Sequence, residues 1–98
     1  MSDDRVERLR AAAKRIDALP EVVRRSGGVA DAVATYMPGD RLVGVRLREG
    51  TVEAHVVMAW STTVDEVERA VVGAVRAEGF QAVDLVIDDI EMPSGVFK

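Results

Sequence analysis

Ninety-eight residues, 48% of them apolar, are one domain's worth of chain, and one modest hydrophobic core is the expectation. Thirteen Lys and Arg against 17 Asp and Glu leave a formal charge of −4, which argues against a dedicated nucleic-acid binder, because such affinity comes mostly from neutralised phosphates. There is no Cys and a single His, His55, so disulfides, thiolate metal sites, cysteine nucleophiles and transition-metal centres are all disfavoured, and no cofactor is expected.

The opening Met1-Ser2-Asp3-Asp4-Arg5 is acidic and then mixed in charge, with no apolar run of signal-peptide length behind it, so a cytoplasmic protein is expected. From Asp3 to about Leu19, Val6, Leu9, Ala13 and Ile16 recur at helical spacing, with Arg5, Arg8, Lys14 and Arg15 around them and Pro20 closing the run. This predicts an amphipathic helix. Its stripe holds no Trp or Phe and much Ala, which suits packing on the protein's own sheet better than lying on a membrane.

Val22-Val23-Arg24-Arg25 reads as a short strand or extended stretch entering the Gly27-Gly28 turn. Those glycines lack the spacing and the following Lys-Ser or Lys-Thr of a phosphate cradle. Val29 to Tyr36 fits either a helical turn or a strand, and Met37-Pro38-Gly39-Asp40 marks a turn.

The middle of the chain alternates clearly. Val43, Val45 and Leu47 interleave with Gly44, Arg46 and Arg48, and after Glu49-Gly50 the run Val52 to Trp60 alternates again, predicting two antiparallel strands. With Glu49-Gly50 as a two-residue loop, Leu47 faces Val52, Val45 faces Ala54 and Val43 faces Val56 on one side; Arg46 faces Glu53 on the other, a pair worth roughly 0.2–1 kcal/mol. A longer loop with a bulge at Gly50 is the alternative. His55 falls on the outward face near Gly44, where a small neighbour leaves room for a ligand, although its position reads as that of an ordinary strand histidine.

Thr63-Val64-Asp65-Glu66 has capping-box spacing and starts a second helix, with Val64, Val67, Val71, Ala74 and Val75 as its buried stripe and Gly79 as its stop. The last strand runs from about Ala82 to Ile90, Val83, Leu85 and Ile87 pointing one way and Asp84, Val86 and Asp88 the other. Asp88, Asp89 and Glu91 form a carboxylate cluster without the spacing of a calcium loop. Residues 94–98 are expected to be a short flexible tail. Together these elements predict a single small α+β domain: an N-terminal helix, a central antiparallel hairpin, a second helix and a final strand. The two helices lie on one face of a mixed sheet of about three to five strands. Charge is unevenly spread, +2 over residues 1–50 and −6 over residues 51–98.

Ala34-Thr35-Tyr36-Met37-Pro38-Gly39-Asp40-Arg41 running into Gly44-Val45-Arg46 resembles a stretch of actinobacterial members of the alkaline shock protein family, the Gls-type envelope stress response proteins of Gram-positive bacteria. The strands Val52 to Val57 and Val83 to Ile90 are similar to that family's two most recognisable strands, and the resemblance covers roughly Val6 to Pro93. Two corners depart from it, at Trp60-Ser61-Thr62-Thr63 and at Leu19-Pro20-Glu21-Val22. The resemblance implies a non-enzymatic stress response protein that forms homo-oligomers and is held at the inner face of the cell membrane by a small integral-membrane anchor protein, itself spanning nothing. The candidate interface residues are Trp60, Tyr36, Arg46 and His55, aromatic side chains often dominating interfaces. The alternative is a nucleic-acid-binding regulatory domain, against which stand the negative charge and the lack of a Gly-x-x-Gly clamp.

Overall fold

A computed structural model describes residues 4–28 and 32–92. Helix α1 (Asp4–Asp17) leads to β1 (Val22–Arg25), β2 (Ala34–Met37), β3 (Asp40–Val43), β4 (Val45–Arg48), β5 (Thr51–Ala59), α2 (Val64–Arg76) and β6 (Ala82–Glu91). The expected α+β architecture is present, with one strand more than alternation alone suggested in each of the regions 34–37 and 40–43. Among the described residues no helix is long and apolar enough to cross a membrane.

Strand β5 organises the sheet. On one flank β4 pairs antiparallel with its first half and β1 with its second; on the other flank β6 runs parallel along its whole length. The hairpin register is as expected, Leu47 opposite Val52, Val45 opposite Ala54 and Arg46 opposite Glu53. Glu49 and Gly50, both at positive φ, close it as a two-residue loop whose twist suits the strands.

The expected pairing of Val43 with Val56 is corrected. Gly44, at φ +88°, turns the chain out of line there; Val43 instead pairs with Ala34 in a separate β2–β3 ribbon, and Arg25 of β1 takes the place opposite Val56. A Cβ on Gly44 would lie 2.9 Å from Cβ of Arg25 and 3.0 Å from the Ser26 carbonyl oxygen, so the close approach needs glycine.

Both helices pack on one face of the sheet. Leu9, Ala12, Ala13 and Ile16 of α1 and Val67, Val71, Ala74 and Val75 of α2 form one core with Val45, Val52, Ala54, Val56 and Met58, to which β3 adds Leu42. Helix α1 carries acidic residues in its first turn and basic ones in its last, complementing its dipole. At the start of α2, the Glu66 N–H donates to Thr63 Oγ1 (3.2 Å) and the Thr63 N–H donates to the Glu66 carboxylate (3.0 Å). The Thr63 hydroxyl and backbone hold the Glu66 carboxyl below its usual range. Valine is a mediocre helix former, and this cap with the buried valine stripe compensates. Val64, expected in that stripe, lies instead at the exposed mouth of the helix. The helix ends at Arg76, with Gly79 completing the turn after it at φ +95°.

Strand β5 meets an irregularity on each flank, at neighbouring steps. Val23 is an extra residue in β1 between the partners of Val57 and Met58, and Asp88 is an extra residue in β6 between the partners of Val56 and Val57. The expected tail, 94–98, and part of the ambiguous segment after Gly28 lie outside the described residues.

Candidate functional site

The sheet face away from the helices carries the polar residues of the alternating strands. Arg46 of β4 and Glu53 of β5 meet across the hairpin, Arg46 Nε donating to Glu53 Oε1 at 2.7 Å. Arg48 approaches the same oxygen at 3.6 Å. The other carboxylate oxygen, Oε2, lies 2.9 Å from Nε2 of His55, two residues along the same face of β5. On the far side of the ring, Nδ1 is 3.2 Å and 3.3 Å from the two carboxylate oxygens of Asp88.

His55 lies on the outward face near Gly44 as expected, but the room expected beside it is absent: it is only 9% exposed. Backbone between β1 and β2 crosses in front of it. The Ser26 N–H donates to the His55 carbonyl and the His55 N–H to the Gly44 carbonyl, both at 2.8 Å. A Cβ on Gly28, whose φ is +70°, would sit 3.7 Å from Nδ1.

Arg46, hydrogen-bonded to Glu53, and then the His55 ring bring the Glu53 carboxyl down to about 2. Carboxylates only accept hydrogen bonds, so both bonds to the imidazole are made together only when both ring nitrogens carry hydrogen. The network therefore braces three strands, β4, β5 and β6, through one ring. Because the carboxylates lie on opposite sides of that ring, they do not converge on a common point, and no group of three or more metal-ligating side chains occurs among the described residues.

The acidic cluster of β6 is dispersed in the same way. Asp88 serves His55, Asp89 accepts the N–H of Ile90 at 2.8 Å, and Glu91 pairs with Arg24 of β1 at 2.6 Å. Alternation along β6 places Asp88 on the face that His55 occupies, but residue order alone does not reveal their contact because it depends on which strand β6 joins. The link between Glu53 and His55 was open to inference from the two-residue spacing.

Trp60 and Tyr36 are 51% and 69% exposed. They are not part of the His55 network. Tyr36 stands on the β2–β3 ribbon, whereas Trp60 follows β5 and donates its backbone N–H to the Glu91 carbonyl at 3.0 Å. Around that second position lie further exposed apolar side chains that sequence patterning did not mark as exposed: Val64 at the start of α2 and Ile90 and Met92 at the end of β6. Comparison with protein-family models, with curated proteins and with solved structures gave no match.

Proposed function

We propose that this chain is a non-enzymatic interaction module that self-associates through the apolar end formed by Trp60, Val64, Ile90 and Met92. The observation that carries this reading is that four of the exposed large apolar side chains fall where β5, α2 and β6 meet, instead of being scattered singly. Trp60, with a large apolar ring and one polar N–H, is the natural anchor of such a contact. The resemblance of residues 34–46 to alkaline shock proteins supports the same reading. It adds a role in envelope stress and a small integral-membrane anchor as the second partner, holding the protein at the inner face of the membrane.

The nucleic-acid alternative draws little from the basic strands, since Arg24, Arg25 and Arg46 are each engaged by a carboxylate: Glu91, Asp17 and Glu53 respectively. Light-scattering mass measured at two well-separated protein concentrations tests the proposal. Mass should rise with concentration for the wild type and stay monomeric for Trp60→Ser; a strict monomer at both concentrations sinks self-association.

A further inference from the structure

The outer edge of β6 is the longest edge of the sheet that no described strand covers. Strand β6 pairs with β5 alone, and its ten residues carry a backbone edge to which no described strand is bonded. Both ends of that edge are closed by side chains: Arg76 Nε donates to the Gln81 carbonyl at 3.2 Å, and the Ile90 N–H donates to Asp89. The stretch between them, Val83 to Asp88, has room for a strand.

A groove runs on each side of it. On the face away from the helices, a cavity of about 490 Å³ is lined by Glu49, Glu53, Asp84, Arg48 and Val86, among others, three carboxylates against one guanidinium. On the helix side, a cavity of about 610 Å³ between α2 and β6 is floored by Val72, Gly73 and Val83 and balanced in charge, Asp65 and Glu68 against Arg69 and Arg76. A strand laid along β6 sends alternate side chains into these two grooves. One groove selects cations and the other small apolar groups.

We propose that the outer edge of β6 takes up, as an added strand, an extended segment in which basic and small apolar side chains alternate. Asp84 is the principal selector, since it has no ion-pair partner among the described residues, whereas Glu53 is committed to Arg46 and His55. A second copy of β6 is disfavoured as the occupant. The strand carries Asp84, Asp88, Asp89 and Glu91 and no basic residue, so two copies side by side bring like charge together in any register, and pairing about Val86 sets Asp84 and Asp88 directly opposite. This edge is therefore distinct from the self-association end. It rests on the reading of the chain as an interaction module, and it names the kind of partner that module takes.

The test is a titration of the ¹⁵N-labelled full chain with a synthetic Lys-Val-Lys-Val-Lys-Val peptide at low salt. The expected result is amide shifts and slowed hydrogen exchange confined to Val83 to Asp88 and the residues lining the two grooves, with binding weakened about tenfold by Asp84→Lys. The same peptide with Glu for Lys should not bind. A peptide of the same composition with the lysines grouped together should bind only as a diffuse, salt-sensitive cloud without exchange protection. Absence of protection at Val83 to Asp88, equal binding of the grouped peptide, or no effect of Asp84→Lys overturns the proposal. The mass measurement on peptide-free protein is independent, so a failed titration with intact self-association refutes the edge site and leaves the module standing.

Discussion

The two flanks of β5 are built on different terms. On the β4 and β1 side, the chain comes back on itself repeatedly and leaves little backbone bare. The Thr35 hydroxyl donates to the Val45 carbonyl, the Gly44 N–H to the Val33 carbonyl, and Arg25 to the Val43 carbonyl, at 2.7 to 2.8 Å. On the β6 side, a single parallel strand arrives by way of α2 and stops the sheet with its outer edge open. Both flanks are tied to His55, one through Glu53 with Arg46 and the other through Asp88. The difference teaches that in this fold closure and exposure are separated by one strand's width, with a buried polar ring between them.

The largest expected way to break the comparison is at the closed flank. Gly44→Ala forces an L side chain into φ +88° with its Cβ against Ser26 backbone, and should cost about 3 kcal/mol, read as a fall in the urea midpoint. An unchanged midpoint would mean that the flank is looser than its contacts indicate. Next comes the brace itself. Glu53→Gln removes a carboxylate that receives both Arg46 and His55, with an expected loss of about 2 kcal/mol at neutral pH.

That substitution also carries a pH signature. The folded carboxyl titrates at about 2, below its ordinary 4.5, so its contribution is fully present above pH 4.5 and is lost as the pH falls towards 2. The wild type should therefore lose stability over that interval, and Glu53→Gln should show a shallower slope there. Equal slopes would remove Glu53 from the account.

Asp88→Asn should act on one flank only, costing about 1 kcal/mol and speeding amide exchange in the last half of β6 while Val45 to Arg48 stay protected. Uniform acceleration across both flanks would show that the ring couples them more tightly than two separate bonds. The smallest effect belongs to the open edge, where Val86→Lys should shift stability by no more than about 0.5 kcal/mol because the side chain is already partly in solvent.

The closed flank was the more legible in sequence, for a physical reason. The hairpin from Val45 to Ala54 is local, its apolar pairs match only in one register, and Arg46 and Glu53 confirm it with opposite charges. Thr63 and Glu66 announced α2 with equal directness. What escaped was non-local or depended on a single backbone angle: Gly44 looks like any glycine in an alternating run, yet its positive φ ends one ribbon and begins another. His55 is placed on the correct face by alternation, but its burial depends on the segment around Ser26 and Gly28, which carries no periodic signal. Trp60 stood out because tryptophan is rare here; Ile90 did not, because strict alternation assigned it no role.

The extra residue at Asp88 has a bearing on how the length of this strand can vary. Val83, Leu85 and Ile87 point to the core at odd positions, and after the bulge Ile90 lies opposite Met58, on that same side at an even position. Removal of Asp88 would leave Ile87 and Asp89 as neighbours opposite Val56 and Val57, with every later pair of β6 and β5 already in place. Related chains one residue shorter at this point should therefore lose the histidine's second carboxylate while keeping the apolar end intact. The fold can thus gain or shed the brace by a single-codon deletion without rewriting the surface beside Trp60.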